Sequence, residues 1–194
     1  MIRTISITLI ILLCLTSCGR LDTEQSEAIP PLRDGELIAS ATSTDSSELG
    51  EYTTKIVDQT ADRVHNIDKT IEALNGLVIK PGEEFSFNHT VGNRTAERGY
   101  KEARALKGKE KIMEIGGGVC QVSSTIYQAA LMAGFTITEH HPHQKKVDYI
   151  DEGKDATVDY GTFDLKFRNN RSYPVTLSVS RDKEQQYLNV TFER

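Results

Sequence analysis

The chain has 194 residues, which is long enough for one ordinary domain with appended segments. Its hydrophobic fraction of 38% and charged fraction of 26% are typical of a soluble globular protein. A net charge of −5 provides no basic footprint, and nucleic acid is therefore excluded as an expected partner.

The N-terminus has the pattern of a bacterial export signal. A positively charged end precedes the run from Ile5 to Leu15, which is mostly apolar but too short to span a bilayer. The next residues, Leu-Thr-Ser-Cys, resemble a lipobox, so we expect residues 1–17 to be a lipoprotein signal and Cys18 to be acylated, for example with palmitate. A plain signal peptide with a chance cysteine is the alternative. A lipid anchor would hold the protein on the extracytoplasmic face of a bacterial membrane.

The segment that follows, residues 18–50, is predicted to be a disordered tether. Ser and Thr are frequent, two adjacent prolines interrupt any helix, and seven acidic residues face two arginines between Arg20 and Gly50. Such a composition buries too little apolar surface to offset the entropy of ordering. The folded domain is therefore expected at residues 51–194, close to neutral in charge.

The first predicted element of this domain is an amphipathic helix from Thr54 to Asn75. Apolar residues recur at steps of three and four, which is the helical period. Its predicted buried stripe consists of Val57, Ala61, Val64, Ile67, Ile71 and Leu74. Short strands at 77–79 and 84–87, a loop over 88–98 and a hairpin built from 102–106 and 111–115 come next.

The second predicted helix runs from Val119 to Ala133 and is ended by Gly134. All later segments alternate or are rich in strand-forming residues. The predicted strands are 135–139, 146–150, 157–160, 163–167, 174–180 and 187–192. The sequence therefore predicts an α+β fold with two main helices followed by a mostly antiparallel sheet.

Cys120 is the one cysteine expected in the mature folded part, so no intramolecular disulfide partner is open to it. Exported proteins tend to pair their thiols or to avoid them. Cys120 falls on the first turn of the second predicted helix, where free N–H groups and the helix dipole lower a thiol's pKa and can hold an oxyanion. These features favour a nucleophile, and a buried inert thiol is the alternative.

The residues around Cys120 are candidates for a substrate groove. Gly116, Gly117 and Gly118 allow close approach of the backbone to a ligand or to another strand. Ser123 and Ser124 either line a pocket for a polar substrate or hydrogen-bond the first helical turn, and Gln121 is a candidate oxyanion donor. Ser123 is not expected to be the nucleophile, because no Gly-x-Ser-x-Gly elbow surrounds it.

A histidine cluster, His140-His141-Pro142-His143, follows the helix by one predicted strand. His143 or His141 is the candidate general base, and Asp155 or Asp159 the carboxylate that orients it. The order of helix-borne Cys, strand-borne His and strand-borne Asp is that of transglutaminase-like and papain-like folds. Zinc bound by Cys120 and two histidines is an alternative, but the ligand spacing is not clear, and no metal or cofactor is expected.

Residues 77–170 resemble the VanW family of bacterial cell-envelope proteins. The stretches that carry this resemblance are KPGEEFSFN from Lys80, VGNRTAERGYKEA from Val91, GGGVCQVSSTIYQAAL from Gly116, HPH from His141 and DATVDYGTFDLKFRNN from Asp155. The family positions carried over are Gly116, Gly117, Gly118, Cys120, Gln121, Ser123, Ser124, His141, His143 and Asp155. The family takes its name from an accessory member of glycopeptide-resistance gene clusters, which implies a peptidoglycan context.

Two functions follow as hypotheses. The first is a thiol-dependent amide hydrolase or acyl transferase acting on peptidoglycan peptides, with Cys120 as nucleophile. The second is a non-catalytic binding module for peptidoglycan or for a wall-synthesis protein, in which Cys120 is only buried. The separation of the Cys120 thiol from the imidazoles of His141 and His143 distinguishes the two hypotheses.

Overall fold

The computed structural model describes residues 47–194. The predicted signal, the acylation site Cys18 and the tether up to residue 46 lie outside the described residues. The helices are α1 Ala61–Leu74, α2 Phe87–Val91 and α3 Val119–Met132, and the strands are β1 Glu48–Lys55, β2 Leu77–Ile79, β3 Glu84–Ser86, β4 Glu102–Lys107, β5 Glu110–Ile115, β6 Thr136–Glu139, β7 Lys166–Arg168, β8 Val175–Asp182 and β9 Tyr187–Glu193.

The fold is α+β, and every pair of strands within residues 47–194 is antiparallel. The main sheet has the order β1-β9-β8-β2, a second sheet has the order β3-β7-β6, and β4 and β5 form a separate hairpin. Helix α3 packs against β1 and β9, while α1 packs against β8 and α3. In this part of the chain no helix is long and apolar enough to cross a bilayer.

The core is formed where the two sheets and α3 meet. Phe167 of β7 is fully buried and stacks on Phe85 at 4.7 Å and on Phe135 at 5.5 Å between ring centroids. Phe192 of β9 meets Phe167 edge-on at 5.4 Å, an arrangement that aromatic rings favour. These rings join the second sheet to the main sheet, beneath the helix that carries Cys120.

The two main helices, the hairpin, and the strands near residues 77, 84, 136, 175 and 187 are confirmed. The start of the first helix is wrong, because residues 48–55 form β1, which includes the last residues assigned to the tether. Gly50 packs so closely on α3 that an added Cβ would lie 2.4 Å from the Ala133 amide nitrogen. Val57, placed in the predicted stripe, is 53% exposed. Pairing with β9 and packing on α3 define this strand, and neither is visible in local periodicity.

Residues 140–165 contain far less strand than the sequence predicts. No strand forms at 146–150, although Val147 and Tyr149 alternate as in a strand, because the segment has no neighbouring strand to pair with. At 157–160 the pairing is reduced to one bridge between Asp159 and Phe163. The predicted strand 163–167 is displaced to β7, and the predicted loop 88–98 begins within α2. His143 and Asp155 therefore lie on irregular segments and not on strands as expected.

Candidate active site

Cys120 lies in the first turn of α3, as the sequence predicts. Its side chain is partly buried, at the wall of a cleft of about 1080 Å³ that also contains His143, Arg94 and the glycine run. The cleft is bounded by the start of α3, by the hairpin of β4 and β5, and by residues 146–149 and 157–160. Its volume is that of a site for a small molecule or a short peptide.

The glycine run is explained by close packing within the protein. A Cβ at Gly117 would lie 2.4 Å from the carbonyl oxygen of Ala103 in β4. Gly116 has φ +90° and Gly118 has φ +109°, conformations that residues with a side chain rarely adopt. The three glycines let α3 begin directly against β4 and α1, and they also line the cleft.

The start of α3 leaves some of its backbone N–H groups without a hydrogen bond, as helix N-termini do. The amides of Val119 and Gln121 donate to the carbonyls of Gly116 and Gly118, at 3.2 and 3.1 Å. Within residues 47–194, the N–H groups of Gly118 and Cys120 have no acceptor. The N–H of a nucleophile at a helix start can serve as an oxyanion donor.

His143 and Asp155 form a buried hydrogen-bonded pair. Asp155 Oδ2 accepts from the His143 backbone N–H at 2.7 Å and from ring Nδ1 at 2.5 Å. The two side chains are only 5% and 6% exposed. Because Asp155 binds Nδ1, the orientation of the ring is fixed and Nε2 remains available to the Cys120 thiol.

The imidazole of His143 lies in the same cleft as the Cys120 thiol and close enough to act on its pKa. Burial alone would raise the pKa of Cys120, but the interaction with His143 and its positive charge, together with contacts to Val158 and Thr157, lower it below its usual value. In the same way burial would lower the pKa of His143, but contacts with Cys120 and Asp155 raise it. The arrangement favours a thiolate–imidazolium pair, which is the reactive state of a cysteine nucleophile.

Ser123 and Ser124 do not line the cleft, because both are fully buried. Ser123 Oγ donates to the Ala156 carbonyl at 2.7 Å, and Ser124 Oγ accepts from the Ala156 N–H at 2.9 Å. Both hydroxyls also lie within hydrogen-bond distance of the Cys120 carbonyl. They hold the residue next to Asp155 against the turn that carries Cys120, so we treat them as positioning residues.

We expect Ser124→Ala to destabilise the protein by about 1–2 kcal/mol, because the buried Ala156 N–H loses its acceptor. The substitution should also slow alkylation of Cys120, since Asp155 is less firmly placed under His143. Urea unfolding and iodoacetamide labelling measure the two effects. The exposed Ser180→Ala on β8 is the control, and equal behaviour of the two variants would contradict the positioning role.

Gln121 is also engaged within the protein. It is 1% exposed, its amide nitrogen donates to Thr54 Oγ1 and to the Lys55 carbonyl, and its oxygen accepts from Arg63. All of its polar atoms are therefore satisfied by β1 and α1. Gln121 therefore fixes α3 to these elements and has no free side-chain N–H for an anion.

The other candidates lie apart from the thiol. His141 Nε2 lies 3.0 Å from Glu139 Oε1, and its ring tilts against Phe163 at 4.7 Å. His140 stacks on Tyr127 and contacts the Asp155 backbone carbonyl. Asp159 is exposed and lines the cleft without contacting His143. Of the two histidines and two aspartates proposed, the structure brings His143 and Asp155 to Cys120.

Four cleft residues were not identified from the sequence. Thr157 Oγ1 lies 3.8 Å from Cys120 Sγ, and the Val158 carbonyl lies 3.6 Å from it. Burial raises the pKa of Tyr149, so its hydroxyl stays protonated beside Ser124. Arg94 lies within the VGNRTAERGY stretch, but nothing in the local sequence distinguishes it from Arg98.

No group of three or more His, Cys, Asp or Glu in the described part of the chain is arranged to bind a metal.

Comparison with known proteins identifies the family. Residues 62–192 match the family described as VanW like protein. Over 153 residues the chain is 38% identical to the uncharacterized protein YoaR of Bacillus subtilis (strain 168), covering 79% of this chain and 50% of that protein. Over 129 residues it is 33% identical to the vancomycin B-type resistance protein VanW of Enterococcus faecalis (strain ATCC 700802 / V583), covering 63% of this chain and 46% of that protein.

The chain thus spans about half the length of the curated relatives it matches. No solved structure matches it. The match covers α1 to β9 and includes Cys120, His143 and Asp155. The chain belongs to the family of VanW-like proteins.

Proposed function

We propose that the protein is a thiol-dependent acyl transferase or amide hydrolase that acts on peptides of the cell wall. The observation that carries this proposal is the placement of Cys120 beside His143, which is hydrogen-bonded to Asp155, at the wall of an open cleft. A nucleophile, a base and a group that orients the base are the three parts that such chemistry needs. A module that only binds has no need of a thiol with a lowered pKa.

The geometry supports a two-step reaction. The Cys120 thiolate attacks the carbonyl carbon of a substrate amide, and the N–H of Cys120 stabilises the oxyanion. The C–N bond then breaks, the imidazolium of His143 gives its proton to the leaving amine, and a thioester is left on Cys120. Water or a second amine loses a proton to His143, attacks the thioester and restores the thiolate. Asp155 keeps the imidazole in place throughout.

The wall as the place of action is supported by the family and by the sequence of the N-terminus. One relative carries vancomycin resistance in its name. The lipobox-like stretch would place the domain outside the membrane, on a lipid anchor at Cys18 and a tether. The order of Cys on a helix followed by His and Asp is also that of transglutaminase-like enzymes, an analogy of order alone.

The test is capture of the thioester. The purified protein is incubated with peptides released from peptidoglycan, and its intact mass is measured after a rapid acid quench. We expect an adduct that hydroxylamine removes and that Cys120→Ala does not form. If Cys120→Ser is retained by insoluble peptidoglycan as well as the native protein, and no adduct forms on the native protein, the protein is a binding module and the enzymatic proposal is wrong.

A further inference from the structure

Arg94 projects from the loop after α2 into the cleft that contains Cys120. Its Cβ packs on the first residue of the glycine run, since an added Cβ at Gly116 would lie 2.9 Å from it. The guanidinium is close enough to Cys120 that the negative charge of the thiolate raises the pKa of Arg94. Burial lowers that pKa more, yet an arginine side chain keeps its charge in proteins.

The guanidinium is held from one side only. Nη1 donates to Asn88 Oδ1 at 2.6 Å and to the Gly92 carbonyl at 3.1 Å. Asn88 is itself 9% exposed and donates to the carbonyls of Asp159 and Phe163, so it is a fixed anchor. Within residues 47–194, Nε and Nη2 of Arg94 have no hydrogen-bond acceptor, and no carboxylate forms an ion pair with Arg94. An oriented guanidinium with free N–H groups is suited to bind a carboxylate.

A second arginine lines the same cleft. Arg63 is 9% exposed, its Nε has no hydrogen-bond partner in the described part of the chain, and it packs on Gly118. The carboxylate of Asp58, which also lines the cleft, lies near both Arg63 and Arg104 and balances part of this positive charge. Arg94 and Arg63 nevertheless place two guanidinium groups beside the start of α3, where an anionic ligand would be attracted to the reacting carbonyl.

We propose that Arg94 forms a carboxylate-binding subsite beside Cys120, so that the preferred substrate carries a free carboxylate a few bonds from the carbonyl under attack. This inference rests on the proposed function and specifies the class of its substrate. The subsite acts by orienting the substrate: one wall of the cleft binds the carboxylate and another supplies the thiolate. Amides without a carboxylate would enter the same cleft but would not be oriented by a contact with Arg94.

Two alkylating reagents of nearly equal size test the subsite. Iodoacetate carries a carboxylate and iodoacetamide does not, so the ratio of their rates with Cys120 reports a bound anion. We expect Arg94→Gln to slow iodoacetate about tenfold, the loss of one charge-assisted hydrogen bond, and to change the iodoacetamide rate less than twofold. Arg94→Lys should restore part of the loss. Arg98→Gln is the matched control, because Arg98 is an exposed arginine on the same loop outside the cleft.

A second measurement does not depend on thiol reactivity. Calorimetry compares binding of N-acetyl-alanyl-alanine and of its C-terminal amide to Cys120→Ser, with and without Arg94→Gln. The subsite is supported if the free acid binds more tightly than the amide and Arg94→Gln abolishes this difference, even if no thioester is ever captured.

Two results would overturn the subsite and leave the proposed function untouched. One is that Arg94→Gln leaves the iodoacetate rate unchanged while iodoacetamide labels Cys120 rapidly. The other is that the acid and the amide bind with equal affinity.

Discussion

Replacing His143 with alanine is expected to raise the pKa of Cys120, and to slow its alkylation at pH 7 about tenfold or more. Burial raises the pKa of Cys120, and His143 provides the largest of the effects that lower it. Without His143, burial is opposed only by the contacts with Val158 and Thr157. Turnover should fall further, by about 10²- to 10⁴-fold, because the leaving amine also loses its proton donor.

The measurement is the rate of iodoacetamide labelling of Cys120 between pH 5 and pH 10. In the native protein the pKa of the thiol is lowered and that of His143 is raised. Both shifts favour the thiolate–imidazolium pair over the neutral pair, and the labelling rate should fall as pH drops through the pKa of the thiol. Asp155→Asn should lower the pKa of His143, since the imidazolium loses its carboxylate, and so weaken the pair.

The neighbouring His141→Ala is the control, because His141 contacts Glu139 and Phe163 and not the thiol. We expect its labelling profile to follow that of the native protein. A profile that moves with His141→Ala and not with His143→Ala would reverse the assignment of the base. If Cys120 of the native protein is not labelled below pH 9, the thiol is not activated and the reactive pair with His143 does not form.

The part of the site that the sequence predicts well is local. Three glycines followed by apolar residues at helical spacing predict the first residue of α3 correctly, and this places Cys120 in the first helical turn. The hairpin of β4 and β5 is equally local, since it closes over Gly108. Such features follow from the preferences of a few adjacent residues.

What the sequence does not reveal are choices between equivalent residues. His141 and His143 are two positions apart in an irregular segment. The Asp155 carboxylate, bound to the backbone N–H and to ring Nδ1 of His143, selects His143. Polar residues beside a candidate nucleophile are expected to line a binding groove, and this expectation applies to Gln121, Ser123 and Ser124. They are instead buried by segments that are distant in sequence, such as Ala156 and β1, and their hydrogen bonds stabilise the site from behind.

Those buried hydroxyls connect the fold to the chemistry. The segment from Asp155 to Val158 has no strand to pair with, so its backbone groups are satisfied by α3 side chains and by the His141 carbonyl. The same contacts fix the carboxylate of Asp155 beneath the ring of His143. An irregular segment held by side chains can place functional groups as firmly as a strand, but its sequence carries no period by which to recognise it.

Gly117→Ala is expected to cost about 3 kcal/mol of stability and to disturb the site, since the added Cβ would lie 2.4 Å from the Ala103 carbonyl oxygen. The nearest atoms belong to the backbone of β4, so no side chain can rotate away. Either β4 or the start of α3 must move, and the second choice displaces Cys120 from His143. Urea unfolding measures the stability, and the pH profile of labelling measures the displacement.

Gly153→Ala separates steric contact from conformational strain. Gly153 has φ +80° with nothing within 4 Å of an added Cβ, so its substitution should cost only the strain of about 1–2 kcal/mol. Gly117 has no positive φ, and its cost is therefore all contact. If Gly117→Ala is no less stable than Gly153→Ala and keeps the native labelling profile, the close approach of α3 to β4 does not position Cys120. If Gly117→Ala loses more stability than Gly153→Ala, and its labelling profile shifts toward that of His143→Ala, Gly117 keeps Cys120 in place beside His143.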